Sequence, residues 1–182
     1  MRIIKSLFLS FAFIFLVSPS TIFAQIDNVS PTSTAAALSV NSYELFWPVA
    51  AGRIMGDKLY SLKLFKESLR EVFIFNDLKK AEYNINLSEK RTVEAEKLFL
   101  ENKDAVNGKN TLSEAQKKRE KAFDLVMKSE SKNISDVKAR MMNSFKNQRL
   151  LLESIAAKVS EDQKSTVDEN ITNISTILDK LD

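Results

Sequence analysis

Pairs of acidic residues are the side chains of this sequence whose spacing could support chemistry. Two carboxyl groups can hydrolyse a glycosidic bond when they face each other across a shaped cleft. With 28% charged residues, adjacent acids also arise on solvated helix faces, so we expect no catalytic role and no enzyme. The pairs are Glu67 with Glu71, Glu94 with Glu96, Glu161 with Asp162, and Asp168 with Glu169.

The sequence contains no cysteine and no histidine. Without cysteine there is no thiol nucleophile, no disulfide, no thiolate metal site and no cysteine for a lipid anchor. Without histidine the chain lacks the commonest general base and zinc ligand and the usual axial ligand of haem. A di-iron helical bundle would also need Glu-x-x-His. The composition therefore predicts no metal site and no cofactor.

Residues 1–24 have the pattern of a secretory signal peptide. Two basic residues precede an apolar run from Ser6 to Val17, and Ala24 is the small residue expected at the cleavage site. The run is shorter than the roughly twenty apolar residues that cross a bilayer. We expect an exported protein, cleaved after Ala24 and located in the periplasm, at the cell surface or outside the cell. An uncleaved N-terminal membrane anchor is the alternative, and Pro19 argues against it.

The charge of the remaining chain is close to balanced. Loss of residues 1–24 lowers the count of basic residues from 27 to 25, against 24 acidic residues. This balance predicts no nucleic-acid partner. Basic residues do recur in "KKREK" at 117–121 and in Lys138, Arg140, Lys146 and Arg149. Interleaved acids can pair with them along the helices, so a weak contact with an anionic envelope surface stays open.

The chain after residue 24 divides into a tether and one helical domain. Residues 25–42 are small and polar without an apolar period, which is typical of a disordered spacer. From Asp57 onward there is no proline and a single glycine, Gly108. We predict an all-α domain over residues 43–182, with about five helices in an elongated antiparallel bundle or a stack of helical hairpins.

The predicted helices carry apolar residues at spacings of three and four. The first begins at Asp57 as N-cap, and its stripe is expected to face the core. Further helices are predicted over about 78–102, 111–129 and 135–159 and after Ser160. The first stripe consists of Leu59, Leu62, Phe65, Leu69, Val72 and Phe73.

A turn is predicted ahead of the third of these helices. Asn107 and Gly108 are residue types that adopt left-handed backbone conformations in reversals. Thr111 and Glu114 have the spacing of a capping box, in which each side chain caps a backbone amide at the start of a helix. The pattern therefore places the turn at Asn107–Gly108 and the helix start at Thr111.

The segment "FWPVAAGRIMGDKLY", residues 46–60, is the best candidate for binding. It contains the single tryptophan, Trp47, and an interface hot spot also combines aromatic residues with arginine. The candidate interface is therefore Phe46, Trp47, Arg53 and Tyr60. The favoured interpretation is structural: the three aromatic side chains close one end of the bundle.

The backbone of this segment has its own requirements. Gly52 and Gly56 permit positive φ in the loop before the helix. Beyond the loop, Lys63 and Glu67 are one turn apart, which predicts a weak pair on the helix surface.

The first half of the chain resembles a family of exported bacterial all-helical proteins known only as a domain of unknown function. The resemblance rests on Trp47-Pro48, on a Gly-Asp-x-Leu-Tyr-x-x-Lys element at 56–63, on Lys-Lys-Ala-Glu at 79–82 and on Leu-Ser-Glu-Lys-Arg at 87–91 followed by Glu-Ala-Glu at 94–96. Phe46 and Lys58 stand where proline is frequent in the family. The resemblance covers about residues 43–100 well and implies an exported helical protein, without an activity.

These patterns favour a non-enzymatic module of the cell envelope. We expect it to bind another envelope protein or to associate with itself. The alternative is a periplasmic-type helical chaperone or stress adaptor, although the Leu-Thr-x-x-Gln signature of such small chaperones does not occur here. An enzyme acting on wall glycans through paired carboxylates is the third hypothesis.

Overall fold

A computed structural model describes residues 40–181. Within this range the chain forms α-helices and no β-strand, so the predicted all-α fold is confirmed. The signal peptide predicted at 1–24 and most of the predicted tether lie outside the described residues. The helices are α1 (Ser42–Phe46), α2 (Tyr60–Val72), α3 (Asp77–Glu96), α4 (Ala105–Met127), α5 (Ile134–Ala156) and α6 (Glu161–Asp179), and a short π-helix, Lys97–Glu101, extends α3.

Helices α3 to α6 form a four-helix bundle made of two hairpins. Short links join α3 to α4 and α5 to α6, and each of these pairs packs along its length. Across the bundle α3 packs on α5 and α4 packs on α6. Hydrogen bonds between α3 and α5 join Asn86 to Arg140 and Ser88 to Gln148. Because the residue numbers of the partners increase together along both helices, α3 and α5 run in the same direction. The hairpins are antiparallel, as predicted, and neighbours across the bundle are parallel.

The core of the bundle comes from the apolar stripes of these four helices. Each stripe spaces its residues at three and four, so that one face points inward. The buried apolar residues of the described range pack against one another in one continuous core, which predicts that this part of the chain folds without residues 1–24. The largest fully buried apolar side chains are Ile85, Leu98, Leu112, Met141, Phe145, Leu151, Leu152, Ile155 and Ile174.

Helix α1 attaches the start of the described chain to the bundle. The Asn41 side chain caps α1 by accepting a hydrogen bond from the amide of Glu44 at 3.1 Å. The Val40 carbonyl accepts a hydrogen bond from Ser154 Oγ of α5 at 2.6 Å. The boundary predicted between tether and domain, after residue 42, is therefore corrected: Val40 and Asn41 already belong to the folded part.

The first and last described residues lie at opposite ends of the bundle. Val40 binds Ser154, close to the end of α5. Lys180, which follows α6, lies over the ring of Phe123 near the end of α4, with 6.0 Å between its Nζ atom and the ring centroid. Because α4 runs opposite to α3 and α5, these two contacts mark opposite ends of the four helices.

Asp57 does not cap α2, and this prediction is wrong. The helix begins at Tyr60, and Leu59 occupies the N-cap position without a side-chain hydrogen bond. Asp57 Oδ2 instead accepts a hydrogen bond from the amide of Ile54 at 3.1 Å. The carboxylate therefore stabilises the turn before the helix, in a loop where Gly56 has φ of 100°.

The turn predicted at Asn107–Gly108 is also wrong, because both residues lie in the first turns of α4. The helix begins earlier, after Asp104, whose Oδ1 atom accepts a hydrogen bond from the Asn107 amide at 3.1 Å. The reversal itself lies at Lys103, which has φ of 55°. A strong cap three residues upstream therefore overrides the local turn signal.

The capping box of Thr111 and Glu114 does not exist for the same reason. Thr111 is fully buried inside α4, and Glu114 pairs with Lys117 on the helix surface at 2.7 Å. Gly108 has a packing role, because a Cβ atom there would lie 2.8 Å from atoms of the Phe99 ring. Glycine therefore lets α4 cross closely over the end of the α3 segment.

Candidate functional site

Helix α2 packs on the bundle with its polar side and turns its apolar side to solvent. Tyr60 and Glu71 are buried, and Lys63 and Glu67 are half-buried against α3. The expectation that the apolar stripe of this helix faces the core is therefore wrong. We call the stripe the α2 apolar face: Leu59, Leu62, Phe65, Leu69, Val72 and Phe73.

An ionic cluster joins α2 to α3. Arg91 of α3 contacts the carboxylate of Glu67, and its Nη1 atom lies 3.0 Å from both carboxylate oxygens of Glu94. Lys63 of α2 contacts Glu94 in turn. The predicted surface pair of Lys63 with Glu67 is replaced by these contacts with α3. Because Arg91 and Glu94 are buried, the polar side of α2 supplies charges that α3 needs.

Glu71 connects the C-terminal end of α2 to α3 and α4. Its carboxylate lies 2.9 Å from Lys118 Nζ and 2.8 Å from Lys121 Nζ of α4, and it accepts a hydrogen bond from Asn84 Nδ2 at 2.6 Å. Burial alone would raise the pKa of Glu71, but hydrogen bonds from Lys121, Lys118 and Asn84 lower it to about 2. The carboxylate is therefore charged over the whole physiological range.

The structure does not bring the predicted acid pairs together across a cleft. Glu67, Glu71 and Glu94 each contact a lysine or arginine side chain between α2 and the helices α3 and α4. Glu96, the last residue of α3, accepts a hydrogen bond from the Ser42 amide. The pairs Glu161 with Asp162 and Asp168 with Glu169 are exposed on α6.

Tyr60 is buried where α2 contacts α3, and it does not belong to an exposed interface. Its hydroxyl is buried and has no hydrogen-bond partner among residues 40–181. Lys63 Nζ lies 5.0 Å and Arg91 Cζ 5.7 Å from the centroid of its ring. Burial raises the pKa of Tyr60 to about 12. The Tyr60 ring therefore packs against the ionic cluster and forms cation–π contacts with Lys63 and Arg91.

The other predicted interface residues are separated by their exposure. Phe46 is buried in the core, whereas Trp47 is 69% exposed and packs edge-on against Tyr43, with 4.6 Å between ring centroids. Arg53 is exposed, and its carbonyl accepts a hydrogen bond from Lys63 Nζ at 2.5 Å. The predicted set of Phe46, Trp47, Arg53 and Tyr60 therefore does not form one continuous exposed surface.

The glycines of the loop have the backbone conformation for which glycine is suited. Gly52 has φ of 60° and Gly56 has φ of 100°. The side-chain nitrogen Nδ2 of Asn107 would lie 3.2 Å from a Cβ atom added at Gly56. The loop therefore runs close to the start of α4.

In the described chain, more large apolar side chains are exposed on and beside α2 than on any other helix. Leu62 is 60% exposed, Phe65 64%, Val72 66% and Phe73 66%. Phe75, just beyond the helix, is 87% exposed and extends the face. Exposed apolar patches of this kind mark sites of interaction in soluble proteins.

A cationic cleft borders the α2 apolar face on the side of α3. Its volume is about 480 Å³, and it is lined by Lys63, Lys66, Glu67, Arg70, Tyr83 and Lys90. Lys66 and Arg70 form no ion pair with another residue of 40–181, and Lys90 approaches only Glu67, at 3.4 Å. Arg70 lies over the ring of Tyr83, with 5.3 Å between its Cζ atom and the ring centroid. The cleft therefore presents positive charge that the protein leaves largely uncompensated.

A second polar cluster lies in the centre of the four-helix bundle. Arg119 is fully buried and donates to Gln148 Oε1 at 3.1 Å and to Asn170 Oδ1 at 2.5 Å. Gln148 donates to hydroxyls of α3 and α5 and accepts one more hydrogen bond from α3. Burial lowers the pKa of Arg119 to about 9. We call this set the polar layer: Ser88, Thr92, Arg119, Ser144, Gln148 and Asn170.

The described range contains neither a candidate metal site nor a candidate membrane-spanning helix. No group of three or more acidic side chains in residues 40–181 could hold a metal ion. Within the same range no helix combines the length and the apolar character needed to cross a membrane.

Comparison with protein-family models, with curated proteins and with solved structures gives no match. The resemblance to a family of exported helical proteins therefore stays a prediction from the sequence. Spacing alone identified the apolar stripe of α2, but no local signal shows that its polar side is the side that packs. The partners of that side, Arg91, Glu94 and Lys118, are distant in sequence.

Proposed function

We propose that this protein is a non-enzymatic, exported docking module of the bacterial cell envelope, and that the α2 apolar face is its docking surface. The observation that carries the proposal is the outward orientation of this face. Burying a Leu or Phe side chain contributes about 1.5–3 kcal/mol. A chain that leaves six such side chains in water therefore gains substantially when a partner covers them.

The way α2 attaches to the bundle supports the same proposal. Its polar side is complementary to buried charges of α3 and α4, through Glu67 with Arg91 and Glu71 with Lys118. Turning the helix over would leave Arg91 and Glu94 paired only with each other, would remove their contacts with Glu67 and Lys63, and would place an apolar surface against these charges. The outward direction of the apolar face is thus imposed by the contacts of the opposite side.

A non-enzymatic role is supported by the state of the carboxylates. Glu67, Glu71 and Glu94 are each paired with lysine or arginine where α2 meets α3 and α4, and they do not face another carboxylate across a cleft. Export is supported only by the pattern of residues 1–24 and is part of the proposal.

The test is photo-crosslinking in the native cell from two positions in the centre of the face, Phe65 and Val72. The matched control is Val106 of α4, which is equally apolar and 71% exposed. We expect a discrete adduct, with a protein or with a phospholipid, from both α2 positions and none from Val106. Absence of an adduct from α2, or the same adducts from Val106, would contradict docking through this face.

A helical chaperone remains the second candidate function, because an exposed apolar face also suits unfolded chains. Stoichiometric suppression of the aggregation of an unrelated denatured protein would favour it. The suppression should then be lost when Phe65 and Leu69 are replaced by serine and retained when Val106 and Met127 are replaced.

A further inference from the structure

We infer that the occupant of the α2 apolar face is an anionic phospholipid membrane, on whose surface α2 lies flat. The inference rests on the proposed docking function and names the chemistry of the partner. A helix of this kind buries its apolar side at the boundary between headgroups and acyl chains and keeps cations beside the phosphates. Both halves of that requirement are present on α2.

The apolar half is suited to the acyl boundary. Phe65, Leu69 and Phe73 follow one another at spacings of four along the centre and edge of the face, and Phe75 continues it beyond the helix. All four side chains are large, and their exposed fractions range from 46% to 87%. The face therefore offers aromatic and aliphatic side chains to one plane.

The cationic half lies along one edge of that face. Lys66 follows Leu62 by four residues and Arg70 precedes Phe73 by three, so each cation is one turn from an apolar side chain. Both cations are exposed and line the cationic cleft together with Lys90. A phospholipid headgroup entering this cleft would place its phosphate beside Lys66 and Arg70 while its acyl chains meet the apolar face.

Charge also disfavours a second copy of this chain as the occupant. The acidic side chains of α2, Glu67 and Glu71, are engaged with α3 and α4. The exposed charges on this helix, Lys66 and Arg70, are both positive, while the exposed Asp57 and Lys58 before it offset each other. Two copies joined through the same face would bring these cations together without an exposed acid on either α2 helix. An anionic surface removes this repulsion.

The test is binding of residues 25–182 to vesicles, measured by flotation. Vesicles of equal parts phosphatidylglycerol and phosphatidylcholine are compared with vesicles of phosphatidylcholine alone. We expect the chain to bind the anionic vesicles at least about tenfold more tightly, because each basic side chain near an anionic surface contributes roughly 1 kcal/mol. High salt should weaken this binding.

Two double variants test the contributions of the cations and of the α2 apolar face separately. K66Q/R70Q is expected to reduce binding about tenfold or more, and F65S/L69S is expected to abolish it. Their matched controls are K132Q/K146Q and V106S/M127S, which alter exposed residues outside α2. Thermal unfolding of each variant verifies that the bundle remains folded.

The orientation of α2 can be read by tryptophan fluorescence. In a W47F background, tryptophan at position 62 should shift to the blue when anionic vesicles are added, whereas tryptophan at position 106 should not shift. The inference is overturned if the wild-type chain does not bind anionic vesicles, binds neutral ones equally, or binds with the affinity of K66Q/R70Q. It is also overturned if the chain forms a dimer that F65S/L69S disperses.

Failure of this inference is distinguishable from failure of the docking function. A chain that ignores vesicles but still yields a protein adduct from Phe65 and Val72 in the cell would retain the docking surface with a protein partner. A chain that yields neither result has no docking function at this face.

Discussion

Gly108 lies where the start of α4 passes directly over the ring of Phe99. The helix has ordinary backbone geometry there, so the residue is needed for space and not for an unusual φ. Phe99 is itself only 3% exposed and belongs to the core, which leaves its ring little room to move.

Replacement of Gly108 by alanine is expected to destabilise the protein by about 1–2 kcal/mol, although alanine favours a helix by about 1 kcal/mol. The added Cβ atom would lie 2.8 Å from ring atoms of Phe99, and this overlap outweighs the gain in helix propensity. Chemical denaturation measures the change. Asn110→Ala, at an exposed position of the same helix, is the control and should cause no loss. Equal stability of wild type and Gly108→Ala would show that the ring moves aside freely.

Helix α2 is held mainly by charge, so its attachment should respond to pH. The pKa of Glu71 is about 2 in the folded protein, below its ordinary value of 4.5. A lowered pKa stabilises the folded state above pH 4.5, and this stabilisation is lost as the pH falls towards 2.

Replacement of Glu71 by glutamine is expected to lower the free energy of unfolding by about 3 kcal/mol at pH 7, from a pKa difference of about 2.5 units. The deficit relative to wild type should shrink steadily between pH 4.5 and pH 2, because the wild-type carboxyl becomes protonated there. Denaturation with urea at a series of pH values measures it. Glu169→Gln on the exposed side of α6 should show no such pH-dependent deficit, and a deficit of constant size for Glu71→Gln would refute the argument.

The helices themselves were largely predictable, and the direction of α2 was not. Spacings of three and four located α3, α5 and α6 within a few residues, because their stripes line one shared core. The start of α4 was placed at Thr111, although the helix begins at Ala105. The same spacing found the stripe of α2, but periodicity does not report what covers a stripe. The orientation of α2 depends on Arg91 and Glu94 of α3, and their burial, which favours charged partners, is known only from the packed structure. The turn predicted at Asn107 and Gly108 is wrong for a related reason. Asp104 caps α4 three residues earlier, so both residues are already inside the helix.

The four helices of the bundle meet at the polar layer, which ties all of them to one another. Arg119 is a buried cation whose closest partners in this layer are amide oxygens of Gln148 and Asn170. Such a layer costs stability relative to apolar packing, but it favours the alignment in which every member finds its partner.

Replacement of Arg119 by methionine is therefore expected to destabilise the protein by about 2 kcal/mol, because Gln148 and Asn170 lose a buried donor. Replacing Gln148 and Asn170 by leucine in the same chain should restore the thermal stability. The restored variant should nevertheless show weaker protection of core amides from hydrogen exchange, since nothing polar then fixes the alignment of the helices. Arg140→Met, at a partly exposed site, is the control. Full protection in the restored variant would show that apolar packing alone specifies the alignment.

The placement of Val40 and Lys180 at opposite ends of the bundle has a practical consequence for labelling. Helices of 19 to 23 residues separate these ends, which corresponds to roughly 30 Å at 1.5 Å per residue. A fluorescent reporter attached at Lys180 would leave the end at which the chain enters the bundle unobstructed. A donor near Val40 and an acceptor near Lys180 would span a distance suited to energy transfer, so that opening of the bundle could be followed in a single molecule.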